Sequence, residues 1–238
     1  MILENTAYPT IIKTMYDERE KVRYFAQKMA TKMPKIPAGM GGAYITYTNP
    51  QSKNTYMCWF GKMVTPGRFL DTTGKHSVNG SFLIVNTSSG ERMVMQLAYK
   101  YHEGKKYDAL IIYTAHFFKR YRERFDYPDD MPSNDLICNF MNRNYEMRPL
   151  DYSKVSRKGD PNGSAFQCND GIILGTTEMK EENGYKFFVA RHNTFISEAE
   201  FKSNQAEEWM TDADYANEFI DFVKTHLRED PFWSQYMR

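Results

Sequence analysis

Apolar residues near the start of the chain recur at helical spacing. Val22, Phe25, Ala26 and Met29 fall three and four residues apart, the stripe of a helix lying on a core. Asp17, Glu18 and Glu20 crowd one end, where a helix dipole favours anions, and Pro34 and Pro37 stop the pattern. The spacing therefore predicts a helix over 17–32. From residue 43 the period shortens. Runs of β-forming residues at 43–48 and 55–60 flank Asn49-Pro50-Gln51-Ser52, and runs at 81–86 and 92–99 flank Thr87-Ser88-Ser89-Gly90. Residues 107–113 add a strand with an apolar centre, so strands occupy 43–113 with 61–80 as an exposed loop.

Helical spacing returns over 115–125 and 134–144, on either side of Tyr127-Pro128-Asp129-Asp130. Residues 148–169 are polar, carry Gly159, Pro161 and Gly163, and read as the least structured stretch. A hairpin is predicted over 171–196, turning at Glu181-Glu182-Asn183-Gly184. Ser197-Glu198-Ala199-Glu200 has the form of a capping box opening a helix. A last helix, 211–227, places Tyr215, Phe219, Phe222, Val223 and Leu227 on one side. The fold class is thus α+β: a predominantly antiparallel sheet with an N-terminal helix, a central helix pair and two C-terminal helices. Residues 1–197 are expected to form one domain, and 198–238 an acidic helical extension packed on it.

Composition adds exclusions. At 238 residues, 41% hydrophobic and 26% charged, the chain is long and apolar enough for a globular core. No apolar run approaches the roughly 18 residues that span a bilayer, so no membrane association is expected. Cys58, Cys138 and Cys168 are far apart, with no C-x-x-C pair. That argues against a disulfide framework and a zinc site, and for a reducing, cytoplasmic setting with no metal and no cofactor. Charge changes the picture more. The net +1 resolves into +7 over 1–100, +2 over 101–158 and −8 over 159–238. A basic leading part suits a polyanion such as RNA. The acidic end suits a protein partner or contact with the chain's own basic part.

Candidate chemistry concentrates in residues 113–125. On a helix, Phe117, Phe118, Tyr121 and Phe125 form a buried face, and His116, Arg120 and Arg124 line its border at i, i+4, i+8. Lys119 and Arg122 point elsewhere and could contact nucleic acid. An imidazole beside two guanidinium groups suits phosphodiester chemistry without a metal, the first moving a proton and the others holding phosphate oxygens. In the strand 185–196 a period of two puts His192 and Thr194 on one face with Phe188 and Ala190. Two histidines could divide acid and base roles, with Thr194 donating to phosphate. Tyr47, Trp59 and Lys62, from an aromatic and basic stretch of the first sheet strands, are candidates for stacking and phosphate contacts.

The run Tyr113-Thr114-Ala115-His116, followed by Arg120 and Arg124, resembles the strand-to-helix signature of the barnase/EndoU/colicin/RelE-like group of metal-independent, toxin-like ribonucleases. The strands at 170–175 and 193–196 look like those that close such folds. The resemblance covers about residues 107–197. It implies RNA cleavage through the 2′-hydroxyl, with His116 and Arg120 matching best, Arg124 next and Thr194 after them. A metal-independent endoribonuclease is the leading expectation. Two alternatives remain open: a non-catalytic nucleic-acid-binding protein using the basic N-terminal sheet, and a mobile-element-type accessory protein binding a partner through the acidic C-terminal helices.

Overall fold

The computed structural model describes residues 1–30, 32, 42–61, 78–144, 147–155, 160–197 and 200. Helix α1 (Tyr8–Ala30) leads into five strands, β1 (Gly42–Thr48), β2 (Thr55–Gly61), β3 (Val78–Asn86), β4 (Arg92–His102) and β5 (Lys105–Tyr113). Helices α2 (Ala115–Arg124) and α3 (Ser133–Arg143) follow. Then come β6 (Arg148–Leu150), the single turn α4 (Tyr152–Val155), β7 (Gly163–Cys168), β8 (Gly171–Glu182) and β9 (Tyr185–Ser197). All nine strands join one sheet in the order β1-β2-β3-β4-β5-β9-β8-β7-β6. It consists of two antiparallel meanders joined by the parallel pair β5 and β9, registered from Asp108 opposite Phe187 to Tyr113 opposite His192. The α+β, mostly antiparallel class expected from the sequence is the one observed.

Both sheet faces are covered, which explains the unbroken apolar run in β5. Leu110 and Ile112 turn to the α1 side, with Ile11, Met15, Val22 and Ala26. Ile111 and Tyr113 turn to the other side, where Phe117, Phe118 and Tyr121 of α2 and Phe140 of α3 pack. A strand buried on both faces loses the apolar–polar alternation of a half-exposed one. Tight turns close two hairpins: Glu103-Gly104 at φ 49° and 71°, and Asn183-Gly184 at φ 53° and 78°. Two residues in the left-handed region match the twist of the strands they join.

Three expectations are corrected. Helix α1 begins at Tyr8 rather than 17, because Ile11, Ile12 and Met15 continue the buried stripe and Pro9 sits in the first turn, where no amide donor is needed. The acidic residues read as its start lie mid-helix, and Glu18 is buried, accepting from the Asn54 amide and the Tyr56 hydroxyl (2.6 Å). The stretch 148–169, read as unstructured, supplies β6, α4 and β7, with Val155, Ala165 and Ile172 as a small core of their own. The loop predicted over 61–80 lies outside the described residues from 62 to 77, while Gly61 ends β2 and Val78 opens β3. The C-terminal helices and the packing of 198–238 fall outside them too, except Glu200. Its carboxylate accepts from the Ser197 amide (3.3 Å) and hydroxyl (3.1 Å), one of the bonds a capping box requires.

Candidate functional site

Helix α2 starts where β5 leaves the sheet. Thr114 caps it: its Oγ1 accepts from the Phe117 amide (3.2 Å) and donates to the His192 carbonyl (3.1 Å), tying the helix start to β9. Phe117, Phe118 and Tyr121 are buried, as their spacing requires. His116 in the first turn and Lys119 are exposed. The Arg120 guanidinium donates to Glu123 (2.8 Å), and Arg124 stands against the Glu200 carboxylate. Arg122 donates to the carbonyls of Pro128, Asp129 (2.9 Å) and Met131 (2.9 Å). Its guanidinium closes the α2–α3 connection and is not offered to a nucleic acid. The stripe His116–Arg120–Arg124 exists, with both of its arginines paired to carboxylates.

His192 and Thr194 do not share a face. In β8–β9 the register runs Gly175 opposite His192, then Leu174 opposite Thr194, so Asn193 is the extra residue of a bulge. Directly paired residues of antiparallel strands share a face. Phe195 therefore joins His192 on the α2 side, and Thr194 turns with Leu174 to the α4 side. Gly175 permits the bulge: a Cβ there would lie 1.9 Å from the Arg191 carbonyl oxygen. The His192 ring sits among Tyr113 (centroids 4.8 Å), Phe166 (5.3 Å) and Phe117 (6.5 Å). It is 3% exposed, and its Nδ1 is buried without a hydrogen-bond partner. Burial lowers its pKa from 6.5 to about 4, so the ring is neutral over the physiological range. The main chain brings His192 to the start of α2, but its imidazole is enclosed while that of His116 faces solvent.

The aromatic candidates of the first sheet are packed, on opposite faces. Tyr47 stacks against Phe25 of α1 (4.8 Å). Trp59 is buried on the α3 side, and its indole N–H donates to Asn142. Neither ring is a free stacking surface. Lys62 lies outside the described residues. Burial raises the thiols of Cys58 and Cys138 to about 11 and that of Cys168 to about 12, which keeps them protonated. Asp170 is a buried brace. Arg143 Nε (2.8 Å), the Tyr121 hydroxyl (2.7 Å) and the Asn144 amide (2.8 Å) all donate to it. Burial alone would raise its pKa, and these three donors outweigh that and hold it low.

A different region combines exposure, charge and a cavity. Helix α1 has Arg19 and Arg23 at its surface, neither held by a carboxylate among the described residues. Tyr24 of α1 and Tyr99 of β4 are 69% and 47% exposed. The Lys106 ammonium lies 4.0 Å from the centre of the Tyr99 ring. Below, Asp108 accepts from the Tyr16 hydroxyl (2.5 Å) and from Tyr185. Burial, then Asp108 and Tyr99, push the Tyr16 phenol well above its ordinary range, so it stays a donor. Next to Tyr16 and Tyr99 the sheet divides. β3 and β4 are paired only from Leu83 opposite Met95 to Asn86 opposite Arg92. Beyond Leu83 they diverge, and a cavity of ≈ 180 Å³ opens between Gly80-Ser81 and Leu97-Ala98, beneath Met15, Arg19 and Val22 of α1.

The cause is local. The β2–β3 register skips Asn79 between Gly80 opposite Trp59 and Val78 opposite Phe60, and such a bulge bends its strand. The sequence signals were Asn79-Gly80 inside a strand and the alternating Tyr99, Lys100, Tyr101 and His102, but no spacing rule connects them to Arg19 across 80 residues.

Compared with known protein families, with curated proteins and with solved structures, this chain matches none. Its class rests on its own geometry: a two-meander sheet between one helix and a helix pair, with a cation-rimmed cleft on the single-helix side. No helix of the described residues is long and apolar enough to cross a membrane.

Proposed function

We propose that this protein binds single-stranded RNA on the α1 side of its sheet. The observation that carries the reading is the exposed ring of Tyr99, which has the Lys106 ammonium across it and shares a cleft with the surface cation Arg19. Exposed rings stack unpaired bases, and unpaired cations hold the phosphates between them. The basic excess of the first hundred residues supports the same reading, because it supplies the attraction that draws in a polyanion. The endoribonuclease expectation draws less from the geometry. His116 is the exposed imidazole at the start of α2, whereas His192 is neutral and enclosed and Thr194 faces the other side of the sheet.

Fluorescence anisotropy with a labelled single-stranded RNA over a salt series tests the proposal. Wild type should bind at low salt and weaken steadily as salt rises. Reversing two phosphate-contacting cations, Arg19→Glu with Arg23→Glu, should weaken binding by about tenfold or more. His116→Ala should bind as wild type does. Equal binding by the charge-reversed variant would overturn the placement, and RNA cleavage in chelator that His116→Ala abolishes would restore the ribonuclease reading.

A further inference from the structure

The fork between β3 and β4 has a chemistry of its own. The main chain of Gly80-Ser81 and that of Leu97-Ala98 face each other as two strand edges, and the ladder between them ends at Leu83 and Met95. Each strand is hydrogen-bonded on its other side, β3 to β2 and β4 to β5, so the two edges are held apart by the rest of the sheet. Strand edges present alternating amide donors and carbonyl acceptors in the plane of the sheet. Whatever enters must carry donors and acceptors on two of its edges to bond with both strands. It must also be flat, since Met15 and Val22 of α1 cover one face of the fork and Phe82 and Gln96 border it near Gly80.

Size narrows the choice. A cavity of about 150 Å³ holds a benzene ring. The ≈ 180 Å³ of the fork therefore suits one small ring system. At its rim stand Arg19, without an acidic partner among the described residues, and Tyr99 with Lys106 across its ring. A flat heterocycle with hydrogen-bonding edges and an attached anionic group matches all of these features. We propose that the β3–β4 fork is a pocket for a single nucleobase, inserted in the plane of the sheet, with Arg19 holding the phosphate attached to it.

This rests on the RNA-binding reading and deepens it. Bases of a bound strand would stack on Tyr99, and the next base would leave the stack and enter the fork. Unpaired strands give up such a base at little cost, because there is no base pair to break.

Two probes separate the pocket from the wider surface. The first is a short single-stranded RNA carrying 2-aminopurine, whose fluorescence reports transfer of that base into a new environment while anisotropy reports binding. The second is adenosine or uridine monophosphate, with binding followed by chemical-shift changes. Wild type should alter 2-aminopurine fluorescence and shift the amides of Gly80, Ser81, Leu97 and Ala98 on adding a monophosphate. Ser81→Phe, which fills the fork, should lose the fluorescence change and lower monophosphate affinity about tenfold or more, while keeping salt-sensitive RNA binding. Arg19→Ala lies on the surface and keeps the fold. It should weaken the monophosphate and leave the affinity for the free nucleoside unchanged. RNA binding with no fluorescence change and no amide shifts would overturn the pocket and leave the RNA reading standing. Monophosphate binding without RNA binding would do the reverse.

Discussion

At His192 an imidazole is enclosed by three aromatic rings and has no partner for its Nδ1. Protonation would place an uncompensated charge in that box. The consequence for stability has a definite sign. Above the ordinary pKa of 6.5 neither the folded nor the unfolded chain holds a proton there, so the full stability is present. As pH falls, the unfolded chain takes up a proton near 6.5 and the folded one only near 4, so stability is lost across that interval. The share owed to this residue is about 3 kcal/mol. Urea unfolding of wild type and His192→Phe at neutral pH and near pH 4 measures it. The acid-induced loss should be about 3 kcal/mol smaller in the variant, which has nothing to protonate. Identical pH profiles would mean that water reaches the imidazole.

The start of α2 depends on Thr114, which serves the helix and the parallel β5–β9 pair together. Thr114→Ala should cost about 1–2 kcal/mol in thermal or denaturant unfolding, and Thr114→Ser should restore most of it, since the hydroxyl carries both bonds. The buried face of α2 was legible from spacing, because Phe117, Phe118 and Tyr121 obey a period that nothing interrupts. β9 was only half legible. Its residues alternate as a strand should, but the bulge at Asn193 shifts the phase and parts His192 from Thr194. The one warning in the sequence is on the neighbouring strand, where Gly175 leaves room for the close approach. β7 escaped the reading because short strands between Gly and Pro carry the same local signals as loops. The first turns of α1 escaped because the acids at 17–20 imitate a helix start.

Across the whole molecule, the sequence exposed the charge gradient and left open where it would act. The fold brings Arg19 of α1 beside Tyr99, whose ring carries Lys106, on the α1 side of the sheet. On α2 the arginines expected at a catalytic site, Arg120 and Arg124, are engaged with Glu123 and Glu200, and Arg122, expected to contact nucleic acid, with the carbonyls of the α2–α3 connection. Arg120–Glu123 is an i,i+3 pair that helical spacing allows, whereas the Arg124–Glu200 pairing spans 76 residues and cannot be read from spacing within one helix. The central claim is that RNA lies on the α1 side of the sheet. Photo-crosslinking of bound single-stranded RNA carrying 4-thiouridine, with the attached peptides identified by mass spectrometry, tests it most directly. The account predicts crosslinks on the Tyr16–Arg19 turn of α1 and on the β4–β5 hairpin, centred on Tyr99. Crosslinks confined to α2 around His116 and Lys119 would contradict it.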